Sequence, residues 1–86
     1  MVDRIDYAGK VYLYSSGMSK DVIKSSKEKL EEHGVNEKDI IVIEVPEGVP
    51  EGSIIVTVWP HYLSVAKVKR VKEGSIYAPQ LFNIDL

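Results

Sequence analysis

The feature that most constrains this chain is residues 10–45, which read as strand, glycine loop, helix, glycine stop and strand. Lys10-Val11-Tyr12-Leu13-Tyr14 forms the first strand. Val11 and Leu13 face one way and Tyr12 and Tyr14 the other, as in a strand covered on both sides. Ser15-Ser16-Gly17-Met18 breaks it, with Gly17 at the sharp turn. A helix follows from about Ser19 to His33. Ser19 is placed to cap the free amides of the first turn, and Asp21 lies near the positive end of the dipole. Val22, Ile23, Ser26 and Leu30 make a narrow inward stripe, while Lys24, Lys27, Glu28, Lys29, Glu31 and Glu32 read as a solvated face. Gly34 is the expected residue just past the helix end. After a short polar link, Ile40-Ile41-Val42-Ile43-Glu44-Val45 has the β-branched, apolar character of a buried parallel strand. Two parallel strands need a crossover, and here the helix supplies it.

Flanking segments extend this βαβ start. Ile5 and Tyr7 alternate with charge and are compatible with a short edge strand. Pro46-Glu47-Gly48 and Pro50-Glu51-Gly52 form a tandem turn in which Gly48 and Gly52 are expected to take positive φ. Residues 53–59 make a third strand, with Ile54, Val56 and Val58 on one side and Ile55, Thr57 and Trp59 on the other; Pro60 stops it. Residues 60–74 admit two readings. Pro60 at a helix start, Gly74 at its end and valines at three-residue spacing suit a helix. Valine–lysine alternation, with a hairpin loop at residues 72–74, suits strands. Residues 77–84 form the last strand, with Pro79 confined to a start or edge. The fold class expected is α/β: a βαβ start in a small mixed sheet of three to five strands with one or two helices.

At 86 residues the chain is expected to form a single domain. Its net charge of −2 argues against a general nucleic-acid binder. With no cysteine there is no disulfide, thiolate metal site or cysteine nucleophile. His33 and His61 stand far apart, so a zinc site is not expected, and no cofactor is implied. No apolar run is long enough to span a membrane, the amino terminus shows no apolar signal core, and the expected location is the cytoplasm. Abundant Val and Ile, a Lys/Glu surface and the absence of Cys would suit a thermophile.

Little here declares a reaction. Ser16 or Ser19 as nucleophile would need His61 as base, and no Gly-x-Ser-x-Gly surrounds either serine. Residues 15–19 at a helix start could hold an anion, but the P-loop pattern is absent. Lys67, Lys69, Arg70 and Lys72 form the one basic cluster, and with Trp59, His61 and Tyr62 upstream they have the ingredients of a nucleic-acid surface. Trp59, Tyr62 and Tyr77 could instead make a protein-binding patch, against the commoner role of a lone Trp in a core.

Two segments together resemble a known family. Residues 11–17 with the following helix and Glu31-Glu32-His33-Gly34-Val35 are one. Ala78-Pro79-Gln80-Leu81-Phe82-Asn83 is the other. This looks like the glutaredoxin branch of the thioredoxin-like fold, in which a redox loop heads the first helix and a cis-proline in a Val-Pro-Gln-x-Phe motif lies beside it. It is similar in particular to the cysteine-free SH3-binding glutamic-acid-rich-like proteins, which carry Pro-Gln-Ile-Phe-Asn. The redox positions would fall at Ser19 and Val22 or at Lys20 and Ile23, and neither pair holds sulfur. The family's last strand and helix have no counterpart, so the likeness implies a truncated, redox-inactive thioredoxin-like module. It favours the helix reading of residues 60–74. It also implies a groove between Gly17, Met18, Ser19, Lys20 and Pro79 that takes an extended peptide by backbone pairing. The function expected is therefore non-enzymatic protein binding or regulation, with a protein partner or a second copy of the chain. The alternative is a nucleic-acid-binding accessory role for residues 67–72.

Overall fold

The computed structural model describes residues 4–15, 17–45, 47–59, 61–72 and 75–86. The α/β class holds: a β-α-β start, one helix, a mixed five-stranded sheet and a small separate hairpin. In chain order the elements are β1 (Val11–Tyr14), α1 (Lys20–Glu32), β2 (Ile40–Ile43), β3 (Ile54–Trp59), β4 (Tyr62–Lys67), β5 (Lys69–Lys72), β6 (Ser75–Tyr77) and β7 (Gln80–Asp85). The sheet order is β2-β1-β3-β4-β7. β1 lies parallel to both β2 and β3, and the pairs β3–β4 and β4–β7 are antiparallel.

The helix ends behave as their residues dictate. Ser19 Oγ accepts from the Val22 amide at 3.3 Å. At the other end Gly34, at φ +93°, donates to the Glu31 carbonyl at 3.1 Å, and Val35 donates to the Leu30 carbonyl at 3.0 Å. This is a Schellman stop, and its apolar partners Leu30 and Val35 both enter the core. Leu30 is fully buried, a burial that contributes about 2 kcal/mol.

Period-two alternation sorts the sheet into two faces. Val11, Leu13, Ile54, Val56, Leu63, Val65 and Ile84 meet Leu30 of α1 on one. The second carries a smaller cluster of Val49, Ile55, Ala66 and Val68, with Tyr12, Tyr14, Ile43, Ile76 and Ala78 packed around it. The turn residue Val49 and the β5–β6 hairpin thus belong to the second layer. Gly48 and Gly52 take φ of +91° and +87°, as the tandem turn requires.

Four expectations change. Residues 61–72 are not helical: β4 is clamped between β3 and β7, and β5 pairs with β6. Long-range pairing wins over a three-residue valine spacing, and β-branched residues suit it; Pro60, and Glu73 and Gly74 where a helix end or hairpin loop is expected, lie outside the described residues. The strand of residues 40–45 is parallel but ends at Ile43 and sits at the sheet edge, leaving Ile41 and Val42 at 37% and 38% exposure; its proposed stop, Pro46, is not among the described residues. The last strand divides at Ala78-Pro79 into β6 and β7. Finally, residues 4–9 are not a strand. Instead the Ile5 amide donates to the His33 carbonyl at 2.8 Å and the Ile5 side chain is buried beneath the helix end.

Candidate functional site

The loop after β1 is positioned by the cap of α1. Gly17, at φ +76°, is exposed with open space around it. The Met18 amide donates to the Ser15 carbonyl at 2.9 Å, and its side chain packs against the main core. Ser19 is occupied by its capping bond, and Lys20 is exposed at the first helical turn. Around this loop Tyr14, Met18, Thr57, Val58 and Trp59 line a shallow hollow of about 270 Å³. Trp59 is 55% exposed, so it is not the core residue that a lone Trp in a small domain commonly is. It pairs across the strands with Tyr62, while Tyr77 stands on the separate hairpin.

Pro79 is not brought to this loop. Tyr14 aligns with Thr57, Ser64 and Asn83 near one end of the strands. Gln80, immediately after Pro79, aligns with Ala66 near the opposite end. There Pro79 shares a hollow with Lys67, Lys69 and Leu81. None of the described peptide bonds is cis, Ala78–Pro79 included. The groove implied by the thioredoxin-like resemblance is therefore not assembled from these five residues.

The basic cluster is presented openly. Lys67, Lys69, Arg70 and Lys72 are all exposed, at the end of β4 and along β5. Glu51 Oε1 accepts from the Arg70 amide at 3.0 Å, which joins the tandem turn to the ribbon. Ser16 is outside the described residues. The other nucleophile candidate, Ser19, serves as the cap, and the candidate base His61 is exposed. No cluster of three or more potential metal ligands occurs among the described residues, and no described helix is long and apolar enough to cross a membrane.

The feature not anticipated is the outer edge of β2. Among the described residues no strand flanks it on that side. The Ser15 amide and hydroxyl both donate to the Ile43 carbonyl, at 2.8 and 3.0 Å, so Ile43 turns its backbone groups toward β1. Backbone groups alternate in direction along a strand, so Ile40 and Val42 turn theirs outward. At the amino end of the strand, Tyr7 and Lys10 hold Asp39 at 2.7 and 3.4 Å. The Tyr7 hydroxyl bond, helped by Lys10, keeps the Asp39 carboxyl below its ordinary range. Beyond the carboxyl end, Val45 is 59% exposed. The edge is thus hydrogen-bonded at both ends, apolar and open, and residues 40–43 carry no inward charge, proline or bulge of the kind that usually protects such a strand. A run of apolar residues gives the hint of this in the sequence, but nothing in it says which flank stays bare. Comparison with protein-family models, curated proteins and solved structures finds no match to the chain.

Proposed function

We propose that the protein is a non-catalytic protein-binding domain that takes an extended partner along the outer edge of β2. The observation that supports this is the bare strand Ile40–Ile43 with Ile41 and Val42 more than a third exposed. An added strand would satisfy the outward backbone groups of Ile40 and Val42, and those main-chain bonds supply affinity while exposed side chains supply selectivity. The test is selection of extended peptides from a displayed library, followed by amide hydrogen exchange. Binders that protect Ile40 and Val42, and that no longer do so in a Val42→Pro variant, support the reading. Recovery of no binder, or of binders that leave both amides unprotected, refutes it.

A second reading, nucleic-acid binding by the basic ribbon, is favoured by the open display of Lys67, Lys69, Arg70 and Lys72. Replacing Lys67, Lys69 and Arg70 with alanine should then weaken binding and flatten its salt dependence. The absence of a mobility shift with single- or double-stranded DNA or RNA at low salt removes this option.

A further inference from the structure

The β2 edge has a partner already written into its own sequence. We infer that it pairs antiparallel with β2 of a second copy, in a two-fold dimer centred on Ile41 that continues the sheet across both molecules. This names the partner for the binding edge proposed above and rests on that reading.

The register follows from three observations. First, Ile43 directs its carbonyl to β1, so Ile40 and Val42 are the residues whose N–H and C=O groups face out. In an antiparallel pair centred on Ile41, Ile40 of each copy lies opposite Val42 of the other, the arrangement in which both exchange paired backbone bonds. Ile41 then meets its own symmetry mate at the close, non-hydrogen-bonded position, where an exposed side chain gains most from a cross-strand contact. Second, the centre of the contact is apolar: Ile40 meets Val42 and Ile41 meets its own mate, while Ile43 falls opposite Asp39 at the margin. Third, the charges that bracket it are complementary. Lys38 precedes the strand and Glu44 follows it, both are exposed, and among the described residues neither is in a salt bridge within its own chain. Lys38 sits in the 3-10 turn Glu37–Asp39 just before the strand and Glu44 just after it, so antiparallel pairing sets the basic end of each strand beside the acidic end of the other, twice by symmetry. An isologous contact of this kind closes on itself at β2 and leaves β7 as the outer strand at each end of the joined sheet.

A junction of such short strands buries well under the roughly 1,600 Å² of a standard interface, so the dimer is expected to be weak and concentration-dependent. Sedimentation equilibrium of the full chain, run from micromolar to about 1 mM, reads it directly. The expected result is a monomer–dimer equilibrium. Lys38→Glu should weaken it severalfold by placing like charges at both corners. The double exchange of Lys38→Glu with Glu44→Lys should restore it; because the Lys38 charge also favours the Asp39 carboxylate, circular dichroism is to confirm that each variant stays folded. Val42→Pro should abolish it, with circular dichroism confirming that the variant stays folded. A protein monomeric throughout this range overturns the inference. So does a dimer that ignores the charge reversal and the proline. If peptides selected in the preceding experiment still protect Ile40 and Val42 while the protein stays monomeric, the binding edge stands and only its self-pairing falls.

Discussion

At the scale of single residues the helix carries one local conflict. Ser26 lies on the inward stripe of α1 and is fully buried, yet its hydroxyl has no hydrogen-bond partner. An unsatisfied buried hydroxyl costs stability, and alanine is the better helix former. Ser26→Ala should therefore stabilise the protein, by about 1 kcal/mol, in urea unfolding; a destabilised variant would mean that the hydroxyl has a partner in solution. Asp39 shows the opposite case of a well-used polar group. Tyr7 donates to it, and the Tyr7 oxygen accepts from the Asn36 amide at 3.1 Å, so one phenol ties the lead-in segment to the start of β2. Because the folded carboxyl titrates below its ordinary 3.8, the unfolded chain takes up the proton first as pH falls. The stabilisation is complete above the unfolded value and is lost as pH drops through the folded one. Tyr7→Phe should accordingly destabilise more at about pH 6 than at about pH 2.5. Equal losses at both values would show that the phenol acts through packing alone.

At the scale of elements, α1 was legible end to end because its signals are local. Ser19 at the cap, the stripe through Leu30 and the stop at Gly34 all depend on neighbours within a few positions. Ser19→Ala should cost about 1 kcal/mol, and Ser19→Asp should recover most of it, since either oxygen can cap the Val22 amide. If aspartate were as damaging as alanine in thermal unfolding, the hydroxyl would have a role beyond capping. The strands were less legible for a physical reason. Valines at 65, 68 and 71 satisfy a helical spacing and also suit strands, and only the partners supplied by β3, β7 and β6 decide between them. The apolar run of β2 poses the same difficulty at the next level. It signals a strand rich in β-branched residues, but whether both flanks are covered is decided by chain topology, which places β3 on the far side of β1 and leaves β2 outermost. The binding edge was missed for that reason. Pro79 was read through a motif resemblance, and the register of β7 against β4 sends it to the wrong end of the sheet for the groove so implied.

At the scale of the whole molecule, the two faces of the sheet are unequal. Among the described residues, the helix side joins all of β1, β3, β4 and β7 through ten buried side chains, whereas the hairpin side rests on four. The β5–β6 ribbon forms its own two-stranded sheet and shares no ladder with the main one. Its tethers are Ile76 against the second cluster and the bond from the Arg70 amide to Glu51. An isolated hairpin is marginal in water, and segments with few buried contacts open at lower free energy than the core that carries them. The tandem turn shares this loosely held layer, because Gly52 donates to the Val68 carbonyl at 2.8 Å at the very point where β4 gives way to β5. Native-state hydrogen exchange should therefore show two tiers. Amides of β1, β3 and β4 should exchange only on global unfolding, while those of β5 and β6 should exchange through a smaller opening that releases the ribbon and leaves the helix side packed. Glu51→Ala should lower that smaller opening energy without changing the slowest tier, because it cuts a ribbon tether and touches nothing in the main core. Ribbon amides as slow as those of β3 would show instead that the second layer unfolds only with the first, and that the four residues Val49, Ile55, Ala66 and Val68 bind the two layers into one cooperative unit.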